Sequence, residues 1–103
     1  DLVRQVLLNL VDNAARAAGP GGRVWISTRP TRDGGELTVR DSGPGVPAEL
    51  RETLWDPFVT SRSTGTGLGL AIVRRIVEAH GGTAILETPT ASGAEFRLTF
   101  PAT

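Results

Sequence analysis

Residues 2–18 read LVRQVLLNLVDNAARAA, and this stretch sets the architecture that we expect of the 103-residue chain. Its apolar residues recur at steps of three and four, which predicts an amphipathic helix. Asp1 is placed to cap the helix at its amino end, and the run Gly19-Pro20-Gly21-Gly22 ends it. Because such a helix has one apolar face, it must bury that face against a second layer of structure.

The second layer is predicted to be a sheet. Four segments have the length and composition of strands: Val24–Thr28, Glu36–Asp41, about Thr83–Thr88 and about Ala94–Phe100. The turn Arg32–Gly35 joins the first two into a hairpin. A short helix over Pro47–Trp55 and a long one over about Leu68–Ala79 flank an aperiodic loop, Asp56–Gly67. We therefore expect an α+β fold, a two-layer sandwich with the helices on one face of a mixed, mostly antiparallel sheet.

The composition excludes several classes of function. Eleven basic and eleven acidic residues leave no net charge, which argues against nucleic acid or an anionic membrane as the main partner. No apolar run approaches the ~18–20 residues that span a bilayer. The absence of cysteine and lysine excludes thiolate metal sites, cysteine nucleophiles and phosphate loops of the G-x-x-x-x-G-K-[ST] type. The chain opens on Asp1 and contains no Met, so we expect residues 1–103 to be one domain of a longer protein.

Five of the thirteen glycines fall into two tight groups. Residues 41–45 read DSGPG, and residues 65–70 read GTGLGL at the predicted start of the second long helix. Glycine permits the close approach of a ligand, and the free N–H groups at the start of a helix favour an anion. For either group taken alone, ordinary turn and cap chemistry is the more common explanation.

Asp41 ends a predicted strand and stands beside the first glycine group. A carboxylate in this position is suited to accept a hydrogen bond from an exocyclic amine, such as the 6-amino group of adenine. The alternative is an Asx-turn, in which the side chain bonds only to its own backbone.

Asn9, Asn13 and Arg16 share one face of the first helix because they lie at positions i, i+4 and i+7. Asn is an indifferent helix former, so two of them in mid-helix call for an explanation. An amide oxygen can ligate Mg²⁺ that also bridges phosphates, and Arg16 can meet a phosphate one turn further on. The alternative is that the three side chains form the solvated face of the helix.

Taken in order, these motifs resemble the boxes of the GHKL ATPases, and specifically those of the sensor histidine kinases. Residues 9–14, NLVDNA, resemble the N box, and residues 41–45 resemble the G1 box. Residues 55–58, WDPF, resemble the F box, residues 65–70 resemble the G2 box, and Gly93 with residues 95–98 resembles the weaker G3 region. The resemblance covers essentially the whole chain and implies a Bergerat-type ATP-binding fold.

The resemblance implies ATP and Mg²⁺ as cofactors. The residues that it assigns to the nucleotide site are Asn9, Asn13, Arg16, Asp41, Gly43, Gly45, Phe58, Arg62, Thr66, Gly67, Leu68, Gly69 and Leu70. In this assignment Asp41 bonds the adenine amino group, Asn13 ligates the metal, and Asn9 lines the phosphate end of the site. The stretch Phe58–Thr66 is a short ATP lid, from which Arg62 reaches the γ-phosphate. Asn9 and Arg62 are therefore the residues implied to take part in catalysis.

Other positions are assigned in the same way. The residues from Gly67 to Leu70 present main-chain N–H groups to the phosphates, and Phe58 anchors the lid. Two features depart from the family pattern: Ser42 replaces the Asn common in the G1 box, and the strand that usually precedes the first helix is missing or trimmed.

The resemblance implies the catalytic domain of a two-component sensor kinase. Such a kinase phosphorylates a histidine on a separate dimerising helical hairpin and then serves a response regulator. His80 is expected to be a residue of the helix end and not the phosphoacceptor. The domain is expected to be monomeric and cytoplasmic, within a homodimeric parent that is either soluble or anchored in a membrane.

Three rival functions stay open from the sequence. Two are catalytic: an anti-sigma serine kinase, and a gyrase- or Hsp90-like ATPase. The ATPases place a Glu four residues before the metal-binding Asn, where it activates water, and this chain has Asn9 there. The third is a degenerate domain that binds nucleotide or partners without catalysis.

Overall fold

The computed structural model describes residues 2–46, 48–56, 69–87 and 93–102. Its elements are α1 (Leu2–Ala18), β1 (Val24–Thr31), β2 (Gly34–Asp41), a one-turn 3₁₀ helix (Ala48–Leu50), α2 (Gly69–Ala79), β3 (Thr83–Glu87) and β4 (Glu95–Pro101). The predicted α+β sandwich is confirmed, because α1 and α2 pack side by side against one face of a four-stranded sheet.

The sheet has the strand order β1-β2-β4-β3. All three strand pairs are antiparallel, so the sheet in the described part of the chain has no parallel pair. β1 and β2 form the predicted hairpin, and β4 then inserts between β2 and β3, with Leu98 opposite both Leu37 and Ala84. The two central strands are therefore one from each half of the chain.

The core lies between the helices and the sheet. Alternation along β2 and β4 turns Val39, Phe96 and Leu98 toward the helices, where each is almost fully buried. The helices contribute Val6, Leu10 and Ala14 from α1 and Val73 and Val77 from α2. Burial of each large side chain contributes roughly 1.5–3 kcal/mol, so this layer holds β2 firmly against α1.

Two elements differ from the sequence prediction. The helix expected over Pro47–Trp55 is wrong beyond its first turn, since only Ala48–Leu50 is helical and the residues up to Trp55 form turns. Their backbone hydrogen bonds close over three residues, for example from Thr53 N to Leu50 O at 3.2 Å, which is the 3₁₀ and not the α pattern. The hairpin turn is also tighter than predicted, because only residues 32 and 33 separate the two strands.

β1 extends three residues beyond its predicted end and includes Pro30. A proline can occupy a strand only where its missing N–H is not needed, and β1 is an edge strand of the described sheet. Neither helix of the described residues is long and apolar enough to cross a membrane.

Candidate functional site

Asp41 is the buried polar residue at the centre of the site. It ends β2 on the face that packs against the helices, and only 2% of its surface is exposed. Its Oδ1 accepts hydrogen bonds from the backbone N–H of Gly43 at 2.9 Å and from that of Ala94 at 3.4 Å. The bond to Gly43 is an Asx-turn, so the two interpretations of Asp41 are compatible: the turn fixes the side chain, and burial makes its carboxylate a strong acceptor.

The glycines beside Asp41 are places where backbone segments meet. A Cβ on Gly43 would lie 2.3 Å from the carbonyl oxygen of Ala17, at the end of α1. Gly45 has a φ of +85°, and a Cβ there would lie 3.2 Å from the carbonyl oxygen of Gly93. The loop after β2 is therefore closed in by the end of α1 on one side and by the residues before β4 on the other.

Ser42 replaces the expected Asn without disturbing this loop. Its Oγ accepts a hydrogen bond from the backbone N–H of Arg23 at 2.8 Å, and its own N–H donates to the carbonyl oxygen of Arg23 at 3.0 Å. The pair ties the start of β1 to the end of β2 and leaves Asp41 buried behind it.

The polar face of α1 lies beside its buried face. Asn9 and Asn13 are half-buried, whereas Arg16 is exposed and pairs through its Nε with Asp12 at 3.2 Å. The Nδ2 of Asn9 is buried and has no hydrogen-bond partner among the described residues. An unpartnered buried amide costs about 1–3 kcal/mol, so Asn9 is a position where a polar ligand would be stabilised.

The second helix begins where the glycine-rich motif ends. Gly69 is the first residue of α2, and no described atom lies within 4 Å of where its Cβ would be. The first N–H groups of a helix have no partner within the helix and attract anions. The half-buried Leu70 follows in the first turn. The remaining predicted site residues, Phe58, Arg62, Thr66, Gly67 and Leu68, lie outside the described residues.

His80 follows α2 directly. Its backbone N–H donates to Ile76 O at 3.2 Å, and its Nδ1 lies 2.8 Å from the same oxygen. The side chain thus satisfies a carbonyl group at the helix end, as we expected from the two glycines that follow it.

The described residues contain no group of three or more His, Asp or Glu side chains that could hold a metal ion. A divalent cation at this site would therefore need amide oxygens together with ligand phosphates. Asn13 is the half-buried amide on α1 that is suited to this role.

Comparison with known proteins settles the family. A family model described as histidine kinase-, DNA gyrase B- and HSP90-like ATPase matches residues 1–103. This chain belongs to that ATPase family.

Relatives within the ATPase family are sensor kinases. The chain is 42% identical over 101 residues to the sensor histidine kinase ZraS of Escherichia coli O157:H7, covering 98% of this chain and 22% of that protein. It is 44% identical, over an alignment of 119 positions, to the sensory histidine kinase/phosphatase NtrB of Rhizobium leguminosarum bv. phaseoli, covering 99% of this chain and 30% of that protein. The chain thus spans less than a third of the length of these relatives.

Solved structures agree with this assignment. The catalytic domain of the histidine kinase ThkA matches with a TM-score of 0.87 and 40% identity, covering 97% of this chain and 66% of that one. Full-length ShkA in complex with AMPPNP matches at 0.81 and 34%, covering 99% and 22%. ThkA in complex with the response regulator TrrA matches at 0.83 and 36%, covering 98% and 28%. The fold is that of histidine kinase catalytic domains.

Trp55 fixes the start of the segment that resembles the F box of these ATPases. Its ring meets that of Phe96 edge to face, with centroids 5.6 Å apart, and the guanidinium of Arg74 lies 5.5 Å from the ring centroid. The side chain therefore ties the end of the described segment 48–56 to both β4 and α2. The predicted anchor of the lid, Phe58, lies outside the described residues.

Sequence reasoning missed two backbone groups of the site: the N–H of Ala94, which donates to Asp41, and the carbonyl oxygen of Ala17, which lies against Gly43. The carbonyl oxygen of Ala17 and the N–H of Ala94 belong to residues with no functional side chain, so no motif marks them as part of a site. Gly93 was recognisable as part of the G3 region, but its distance along the chain concealed that it touches Asp41.

Proposed function

We propose that this domain binds Mg-ATP and donates the γ-phosphoryl group to a histidine on a separate dimerising helical hairpin of its parent protein. The observation that carries the proposal is the buried Asp41 carboxylate, oriented by the N–H groups of Gly43 and Ala94. Membership of the ATPase family supports it, and so does the likeness to ShkA, whose structure contains AMPPNP.

The geometry of Asp41 supports the proposal that this residue recognises adenine. Both backbone hydrogen bonds end on Oδ1, so Oδ2 is the oxygen that we expect to accept a bond from the 6-amino group. A guanine base presents a carbonyl oxygen at that position, and two acceptors would then face each other. The carboxylate therefore selects adenine by its acceptor-only character.

The phosphates are proposed to lie between α1 and the start of α2. There, the amide of Asn9 would gain the partner that it lacks, and the free N–H groups at Gly69 and Leu70 would bind phosphate oxygens. Arg16 would approach from the last turn of α1 through its terminal nitrogens, because the pair with Asp12 engages its Nε. Asn13 is the residue that would hold Mg²⁺ there, and the cation would supply charge neutralisation for the triphosphate.

The transfer step needs little covalent help from this domain. A nitrogen of the acceptor histidine attacks the γ-phosphorus, the bond from that phosphorus to the β–γ bridging oxygen breaks, and ADP leaves with the electron pair. Positioning and electrostatic stabilisation carry most of such a transfer. Arg62 is proposed to stabilise the transferred group, and the base that takes the proton would lie beside the acceptor histidine, outside this chain.

The nucleophile must come from another domain. His80 is engaged with the carbonyl oxygen of Ile76 at the end of α2, and we assign it a structural role. Hydrolysis is the weaker alternative, because the amide of Asn9 is a poor general base for activating water. We infer that the isolated domain is monomeric, that its parent is a homodimer, and that the reaction takes place in the cytoplasm, where ATP is available. A response regulator is the proposed downstream partner, by analogy with the complex of ThkA and TrrA.

The test measures both nucleotide binding and phosphoryl transfer. Nucleotide binding is first measured by titrating the domain with ATP and Mg²⁺. The domain is then mixed with radiolabelled ATP, Mg²⁺ and the purified acceptor hairpin of its parent protein, and acid-labile phosphohistidine is measured on the hairpin. We expect phosphohistidine with the unmodified hairpin and none with a hairpin whose acceptor His is replaced by Gln. Nucleotide binding without transfer to the parent's own hairpin would identify a degenerate domain, and release of free phosphate without the hairpin would identify an ATPase.

A further inference from the structure

Gly93 contacts Asp41, the residue proposed to bind the adenine base, although it lies 52 positions further along the chain. Its φ is +82°, and a Cβ built on it would lie 1.7 Å from the backbone oxygen of Asp41 and 3.4 Å from Oδ1 of the same residue. No side chain fits in that space unless one of the two segments moves. The absence of a side chain at position 93 therefore sets how closely the residues before β4 approach the end of β2.

Two hydrogen bonds between Asp41 and Ala94 depend on this close approach of the two segments. Asp41 N donates to Ala94 O at 3.0 Å, and Ala94 N donates to Asp41 Oδ1 at 3.4 Å. The second bond is already near the upper limit of hydrogen-bond length, so a small displacement breaks it. Ala94 itself is only 6% exposed, so water has little access to it as a replacement partner.

We propose that Gly93 is a positioning residue for base recognition: by letting Ala94 reach Asp41, it holds the carboxylate in the orientation that selects adenine. This inference rests on the proposed function of Asp41. It concerns discrimination between bases and not general stability, because the group that Gly93 orients is the one proposed to meet the 6-amino group.

Gly81 supplies a matched control. Its φ is also +82°, but a Cβ there would make only an ordinary contact, 3.4 Å from Cγ of Pro101. Alanine at either position suffers the same unfavourable left-handed backbone. Only alanine at position 93 also collides with Asp41, so the difference between the two variants isolates the effect on the carboxylate.

The experiment measures Kd by calorimetry for ADP and for purine riboside diphosphate, which lacks only the 6-amino group. The readout is the ratio of the two Kd values, with thermal unfolding followed in parallel. In the wild type we expect ADP to bind at least about 10-fold more tightly, because loss of the amino group leaves a buried acceptor unpaired. Gly81→Ala should lower the unfolding temperature and leave the ratio unchanged. Gly93→Ala should bring the ratio to within about threefold of one.

The outcomes distinguish a failure of the proposed function from a failure of the inference about Gly93. A wild type that binds neither nucleotide overturns the proposed function and this inference with it. A folded Gly93→Ala variant that keeps the wild-type ratio overturns the inference alone. If Gly93→Ala does not fold, Ala94→Pro decides, because it removes the N–H that donates to Asp41 Oδ1 and keeps the carbonyl group that accepts from Asp41 N. A reduced ratio in that variant supports the inference, and an unchanged ratio overturns it.

Discussion

Replacing Asp41 with Asn should change which base the domain binds while leaving the fold intact. Asn is isosteric with Asp, and its carbonyl oxygen can accept the same two N–H groups, from Gly43 and Ala94, that Oδ1 accepts in the wild type. Its NH₂ group then takes the place of Oδ2. A hydrogen-bond acceptor at the proposed base position becomes a donor.

The expected loss of ADP affinity follows from replacing this acceptor with a donor. A hydrogen bond to a charged group contributes about 1.5–3 kcal/mol, so its loss should weaken ADP binding by about 10- to 150-fold. A 6-oxo base such as hypoxanthine presents an acceptor at the same position, so IDP should gain affinity relative to the wild type. The preference for adenine over hypoxanthine should therefore shrink or reverse.

Calorimetric titration of ADP and IDP into wild type and variant is the direct assay, with thermal unfolding as the control for folding. Asp41→Ala serves as the contrasting variant, because it removes both bonds and should lower stability by about 1–3 kcal/mol for each N–H left unpaired. If Asp41→Asn binds ADP as tightly as the wild type does, Asp41 does not contact the base and the proposed orientation of the nucleotide is wrong.

Four further predictions concern other positions. Asn13→Ala should remove most of the dependence of ATP affinity on Mg²⁺, measured by titration with Mg²⁺ and with a chelator; an undiminished dependence would show that another group ligates the cation. Gly43→Ala should weaken nucleotide binding at least about 10-fold and lower the unfolding temperature, because its Cβ would lie 2.3 Å from a carbonyl oxygen at the end of α1; wild-type values for both would contradict the packing described. Leu10→Ala should lower the free energy of unfolding, measured in urea, by about 2–5 kcal/mol. Leu8→Ala, at a position 60% exposed on the same helix, should lower it by less than about 0.5 kcal/mol, and equal losses would refute the assigned core. His80→Ala should leave phosphotransfer to an added acceptor hairpin unchanged and reduce stability by about 1 kcal/mol or less, so loss of transfer would overturn its structural assignment.

The elements with a clear period were predictable from the sequence. α1 matches its predicted bounds because its apolar residues, such as Val6, Leu10 and Ala14, repeat at helical spacing over 17 residues. The helix predicted after residue 47 was wrong. Leu50 and Leu54 have the four-residue spacing of a helix, but the backbone there forms 3₁₀ and turn hydrogen bonds. Two apolar residues over so short a segment cannot distinguish these structures.

For the candidate site, the sequence points only to side chains. Asp41, Asn9 and Asn13 are unusual in their local contexts, and local context is what a single sequence reveals. The carbonyl oxygen of Ala17 and the N–H of Ala94 carry no such signal, since every residue has these groups. Only the fold shows that the N–H of Ala94 meets Asp41 and that the carbonyl oxygen of Ala17 meets Gly43, and the fold depends on contacts between segments far apart along the chain.

The position of β4 has a consequence for the order of events during synthesis. β1 and β2 emerge from the ribosome before β4, so β2 lacks one neighbour and Asp41 lacks one of its two N–H donors until β4 has been made. Until then, the apolar faces of α1 and β2 are only partly covered. A nucleotide bound as proposed would therefore stabilise the finished domain rather than the incomplete chain, because a ligand stabilises only the state that binds it.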